Sequence, residues 1–150
     1  MTVVGSSIID LFNHIAFTAT IPIDPSYPKW YTQQEMTEKR VPARFYRNEA
    51  GNEPVRDWLK NLGKNERYLI GTDIKTVEYG WPIGMPTCKP LGKGLFEVRT
   101  NLPDGIARVI FCFYEDQLIL LHGFIKKTQK TPKTDLDLAL SRKRDLEDRE

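Results

Sequence analysis

Residues 95–126, LFEVRTNLPDGIARVIFCFYEDQLILLHGFIK, decide the fold. They form three apolar, β-branched runs, 95–100, 106–114 and 117–126, separated by the turn-formers of 101–105 and by Glu115-Asp116. Runs of this composition between turn signals read as strands. Connections this short cannot cross over a sheet, so these neighbours must pair antiparallel. Working outward, residues 87–91 make a shorter strand, joined to the first run by the turn Gly92-Lys93-Gly94.

Side chains alternate between the two faces of a strand. Phe96 and Val98 therefore share one face, and Glu97 and Arg99 the other. In the next run, Val109, Phe111 and Phe113 oppose Arg108, Ile110 and Cys112. In the last, strict alternation puts Ile119, Leu121 and Ile125 on one face and Leu120, His122, Phe124 and Lys126 on the other. The purely apolar sets are expected against helices. The second face then gathers Glu97, Arg99, Arg108, His122 and Lys126. Several charges on a half-buried face are costly without partners. Either those partners are internal, Glu97 with Arg99 or Arg108, or they are a phosphate backbone. Phe124 either stacks a base or packs as core under a C-terminal helix. His122 is either a general acid or base near neutral pH or a structural histidine among apolar neighbours.

Upstream, residues 43–47 read as a strand with Phe45 inward, and 48–53 as a turn around Gly51. Pro54 suits a first helical position, where its missing N–H is no loss. Val55, Trp58, Leu59 and Leu62 continue at helical spacing to Gly63, which ends the helix. A second helix over 65–79 turns Leu69 or Ile70, then Ile74 and Val77, inward and stops at Gly80. The short turn between them makes an antiparallel pair. Beyond Pro132, Thr134 with Asp137 forms a capping-box pattern, and Leu136, Ala139, Leu140 and Leu146 mark a C-terminal helix. Residues 1–40 differ from the rest. Ile8, Ile9, Leu11, Phe12 and Ile15 suggest a short helix over 6–19, capped by Ser6 or Ser7. Pro22, Pro25 and Pro28 forbid one over 21–28. The chain thus divides into an N-terminal extension, 1–40, and a domain, 41–150. The expected fold is α+β: an antiparallel sheet packed on an N-terminal helical hairpin, with a C-terminal helix.

The length of 150 residues suits one domain, and 40% hydrophobic with 28% charged residues is ordinary for a globular protein. The net charge of +2 says little, but its distribution says more. Residues 81–133 hold eight Lys/Arg (Lys89, Lys93, Arg99, Arg108, Lys126, Lys127, Lys130, Lys133) against four acids, while 134–150 hold six acids against four bases. Concentrated positive charge is either a solvated face or a phosphate-binding surface. Cys88 and Cys112 show no CxxC and no metal-ligand spacing, and Cys112, in an apolar run, reads as core. The two histidines, His14 and His122, are too far apart for a zinc motif. No apolar run is long enough for a membrane span, and no signal-peptide pattern opens the sequence. A reduced, cytoplasmic protein without cofactor is expected.

Three segments carry a resemblance: KPLGKGLFEVR (89–99), RVIF (108–111) and LLHGFIKKTQKTP (120–132). Together they resemble the phage-related, HigB-like (Gp49-like) branch of the RelE/ParE toxin superfamily, over roughly residues 41–150. The resemblance implies a RelE-like microbial-ribonuclease fold and the toxin of a type II toxin–antitoxin pair. It implies a metal-independent endoribonuclease that cuts mRNA on the ribosome and is neutralised by a helix-turn-helix antitoxin. By motif position, Arg99, Arg108 and the Lys126/Lys127 pair correspond to the basic residues that relatives use on the scissile phosphate. Lys89, Lys93, Phe124, Lys127 and Lys130 are the accompanying RNA-binding candidates. The aromatic or histidine that some relatives carry near the chain end has no counterpart after Lys127, and His122 is the nearest substitute. ParE-like members of the superfamily poison DNA gyrase instead, and an inactive phage-derived nucleic-acid-binding protein is a third reading.

The chemistry so implied is attack of a ribose 2′-OH on the adjacent phosphate. Arg99 and Arg108 suit the developing charge. A lysine serves as base only where neighbouring cations or burial favour its neutral form, and Lys126, among Arg99, Arg108 and Lys127, is the candidate. Glu97 either acts as base or orients an arginine.

Overall fold

The computed structural model describes residues 4–8, 11, 41–82, 87–126 and 130–149. Among them run β1 (Val4–Ser7), β2 (Ala43–Tyr46), α1 (Pro54–Lys60), α2 (Lys64–Gly80), β3 (Cys88–Gly92), β4 (Leu95–Leu102), β5 (Gly105–Tyr114), β6 (Gln117–Lys126) and α3 (Lys133–Asp148). The strands form one sheet in the order β1-β2-β6-β5-β4-β3.

This corrects the expected fold in two respects. The sheet is mixed rather than antiparallel, because β2 runs parallel to β6, with Ala43 opposite Leu118 and Phe45 opposite Leu120. Nor does a helical hairpin stand at the N-terminus: β1 and β2 precede α1, α2 and α3, and helices flank both faces of the sheet. The physical reason lies in the connections. Short turns force β3 to β6 to be antiparallel, but β2 reaches β6 only after two helices and three strands. A connection that long leaves the strand direction open.

β1 extends the sheet beyond β2, antiparallel, with Val4 opposite Tyr46 and Ser7 opposite Arg44. Glu53 fastens it. Its carboxylate accepts hydrogen bonds from the Ser6 backbone N–H and hydroxyl, both at 2.7 Å, and pairs with Arg47 at 3.0 Å. Burial alone would raise the Glu53 carboxyl, but the Ser6 hydrogen bonds and the Arg47 charge outweigh it and hold it below the usual carboxylate value. Gly5 leaves the room this contact needs, since a Cβ there would lie 2.4 Å from Glu53 Oε1. Ser6 and Ser7 are strand residues, and Ser7 directly precedes the helical Ile8. Ile8 and Leu11 beyond them are helical and buried. Most of the helix expected over 6–19, and the proline-rich 21–28, lie outside the described residues.

α1 and α2 cover one face of the sheet. Val55 and Leu59, with Ile70, Ile74 and Val77, meet Phe45, Val98, Val109, Phe111, Leu118 and Leu120. Trp81 closes the end of this core, edge-on to Phe96 at 4.9 Å and to Phe111 at 5.5 Å between ring centroids. Trp58 explains the glycine inside the LLHGF segment: a Cβ on Gly123 would come within 2.4 Å of the indole.

α3 covers the other face, where Ala139 and Leu146 pack with Tyr46, Leu95, Ile110, Cys112, Ile119 and Leu121. Polar contacts supplement a thin apolar seam. The Tyr46 hydroxyl donates to Asp145 at 2.5 Å, Arg149 pairs with the same carboxylate, and Arg142 donates to the Leu121 carbonyl at 2.6 Å. Burial, then the Asp145 contact, pushes the Tyr46 hydroxyl up to about 12. The expected capping box at Thr134 does not form. The helix starts at Lys133 with Pro132 at the N-cap, so Thr134 already lies inside it.

A β-bulge in β6 also changes the face assignment. Ile110 pairs with His122 but Phe111 pairs with Leu120, which leaves Leu121 as an extra residue. Alternation restarts there. Leu118 and Leu120 face α1 and α2, and Ile119 and Leu121 face α3, together with His122, Phe124 and Lys126. Ile119 and Leu121 therefore share a face with the polar residues rather than opposing them.

Candidate functional site

The register of β3 to β6 arranges the polar face in rows, because residues opposite one another across a ladder point to the same side. Lys89, Glu97, Ile110 and His122 form one row. Arg99, Arg108 and Phe124 form the next, and Asn101, Ile106 and Lys126 the one after. The rows lie about 7 Å apart along the strands, two residues of rise. Glu97, Arg99, Arg108, His122, Phe124 and Lys126 are thus brought onto one face, and Lys89 joins them.

At its centre is a closed polar triangle. Arg108 Nη1 donates to Glu97 Oε1 at 3.3 Å and to the Thr131 hydroxyl at 3.2 Å, and that hydroxyl donates to Glu97 Oε2 at 2.5 Å. Arg99 Nε approaches Glu97 Oε1 at 3.7 Å. Glu97 and Arg108 are both 0% exposed, whereas the Arg99 side chain keeps 16% of its surface. Of the two sequence readings, internal pairing is therefore the one realised for Glu97 and Arg108. Glu97 thus lies against both arginines, with each carboxylate oxygen engaged by a donor. A buried ion pair of this kind holds only with such extra hydrogen bonds.

Beside the triangle, His122 Nε2 lies 2.6 Å from Asp135 Oδ1, in the first turn of α3. The Phe124 ring stacks on the imidazole with centroids 5.4 Å apart and planes 24° apart. Phe124 also packs at the edge of the core beneath α3. Lys126 is half-buried at the end of its row. Lys93 is exposed in the β3–β4 turn at φ 55°, between two glycines also at positive φ. Lys130 is exposed just before Thr131, and Lys127 lies outside the described residues. Lys143 of α3 reaches this turn, its Cε 3.1 Å from where a Gly94 Cβ would stand. The cysteines take no part in the face's chemistry. Burial, then the Glu97 charge, pushes the Cys88 thiol up to about 11, and burial pushes Cys112 up to about 12. Neither is a thiolate near neutral pH.

Two residues of the candidate site escape the sequence reading, Thr131 and Asp135. Thr131 lies inside the LLHGFIKKTQKTP segment, in which only His122, Phe124 and the lysines stand as candidates. Asp135 was counted with the acidic tail. The missed signal was its spacing: residues 135, 139, 142 and 146 recur at helical intervals on the side of α3 that holds the buried Ala139 and Leu146. An acid on a buried helix stripe needs a partner.

Residues 57–144, more than half of the chain, match the family of phage-derived Gp49-like proteins (DUF891), and the chain belongs to that family. It is a RelE-like toxin family associated with toxin–antitoxin systems, which implies an antitoxin partner. No match was found among curated proteins. Among the described residues, no helix is long and apolar enough to cross a membrane.

Proposed function

We propose that this protein is the HigB-like toxin of a type II pair and an endoribonuclease that cuts mRNA on the ribosome in the cytoplasm. The ribose 2′-OH attacks the adjacent phosphate, leaving a 2′,3′-cyclic phosphate and a 5′-OH. The nucleophile is part of the RNA, so the reaction requires no metal. The observation that carries the reading is the gathering of Arg99, Arg108, Phe124 and Lys126 in adjacent rows of one sheet face, in a chain of a RelE-like toxin family.

In this reading Arg99, the more exposed arginine, meets the phosphate and stabilises its added charge. Arg108 acts from behind, holding Glu97 and adding its charge to the site. Lys126 takes the 2′ proton. Lys89, Lys93, Lys127 and Lys130 follow the RNA backbone, and Phe124 offers its free edge to a base. A helix-turn-helix antitoxin neutralises the toxin. Cell growth after induction tests the reading. The wild type arrests growth, and Arg99→Ala and Lys126→Ala variants, expressed to the same level, do not. Arrest by both variants as complete as the wild type's contradicts the assignment.

A further inference from the structure

Cleavage by 2′-OH attack needs a second proton transfer, because the departing 5′ oxygen must be protonated. The scheme above supplies a base but no acid. The face itself narrows the choice. Arginine does not give up its proton in proteins. Both Glu97 oxygens are engaged within the triangle. Tyr46 holds its proton toward Asp145 beneath α3, with Arg142 and Arg149 over its ring. The cysteine thiols are buried on either side of the sheet.

His122, the histidine of this face, is held as a proton donor should be. Its Nε2 meets Asp135 Oδ1 at 2.6 Å, and Phe124 stacks on its ring. An ionised carboxylate only accepts, so the proton on Nε2 is committed to Asp135 and Nδ1 is the nitrogen left for exchange. The His122 and Asp135 side chains keep 16% and 20% of their surface, so unlike the triangle beside it the pair is within reach of a ligand. Glu97 shares the His122 row, and Arg108 and Lys126 lie in the rows beyond.

The geometry points to His122 as the general acid of the proposed cleavage and to Asp135 as the residue that positions it. The inference rests on the ribonuclease reading and fills the role that reading leaves open. As the 2′-O–P bond forms and the P–O5′ bond breaks, the 2′ proton passes to Lys126 and the Nδ1 proton of the imidazolium passes to O5′. The products are the cyclic phosphate and a free 5′-OH, with atoms and charge balanced and no co-reactant. Asp135 makes no contact with substrate. Coming from the first turn of α3, it makes that helix part of the active site rather than only a cover for the sheet.

The test compares two RNAs, in ribosome-bound form, that differ at one atom of the cleaved linkage: the ordinary 5′ oxygen, or a bridging 5′ sulfur whose thiolate leaves without a proton. On the oxygen linkage, His122→Gln and Asp135→Asn cut about 100-fold or more slower than the wild type, and Asp135→Glu recovers part of the loss. On the sulfur linkage all three run close to the wild-type rate, which also shows that they are folded. Equal losses on both linkages overturn the assignment, since a merely structural pair, or a base, would slow both alike. A wild type that cuts neither RNA overturns the ribonuclease reading and the inference with it.

Discussion

The two faces of the sheet are built on opposite principles. Toward α1 and α2 the contact is apolar: Phe45, Val98, Val109, Phe111, Leu118 and Leu120 bury against Val55, Leu59, Ile70, Ile74 and Val77. Toward α3 the apolar seam is shorter, and charge is sealed in beside it. Glu97 and Arg108 are fully buried, and His122 meets Asp135. Hydrophobic burial stabilises in proportion to area and needs no exact partner. A buried ion pair adds little net stability and fails badly when one member is removed. The first face thus holds the fold together, while the second retains a costly arrangement that stability alone does not call for. That contrast supports the proposal that the α3 side is the functional one.

Phe111→Ala removes a fully buried ring from the apolar face, and a loss of about 4 kcal/mol in urea unfolding is expected. A loss below about 1 kcal/mol would mean that this face is not the main core. Arg108→Ala leaves the Glu97 carboxylate buried without its main partner and costs about 3 kcal/mol. Here the two faces should diverge. Replacing both members, Glu97→Leu with Arg108→Met, restores much of that stability without restoring toxicity, whereas no second deletion rescues Phe111→Ala. If the double variant is as unstable as Arg108→Ala, the charge argument is wrong.

The smallest effect lies at the sheet edge. Glu53 is held below the usual carboxylate value of 4.5, so its contribution is present above that pH and is lost as the pH falls through the lower folded value. The protection factor of the Ser6 amide, measured against its intrinsic exchange rate, should therefore fall below about pH 4.5. Glu53→Gln should loosen β1 by about 1 kcal/mol at neutral pH and remove the acid step. An Ser6 amide whose protection is flat from pH 6 to about 3 would contradict the role given to Glu53.

The legible part of the fold was the part with short connections. Gly92-Lys93-Gly94, residues 101–105 and Glu115-Asp116 each permit only antiparallel neighbours, so β3 to β6 could be read in order and nearly to the residue. The Glu115-Asp116 turn even adopts the tight hairpin form with positive φ at both residues, 49° and 60°, without the usual Asn-Gly. The direction of β2 was not legible, because nothing in residues 43–46 encodes which way a distant strand will enter. Nor was the bulge at Leu121. It inserts one apolar residue among others, and simple alternation then misplaced Ile119 and Leu121. Of the candidate site, the cations and their shared face could be read from parity. Thr131 and Asp135 could not, because they arrive from the loop before α3 and from its first turn, and only tertiary packing brings them against Arg108 and His122.

The proposed function assigns RNA cleavage to the α3-covered face. The most direct measurement maps the ends of cellular transcripts shortly after the wild type and an Arg99→Ala variant are induced. The wild type should produce new cuts within translated regions, in phase with codons, carrying 5′-OH and 2′,3′-cyclic phosphate ends, and absent with Arg99→Ala. Growth arrest by the wild type with intact transcripts, or with breaks in DNA at gyrase sites instead, would contradict it.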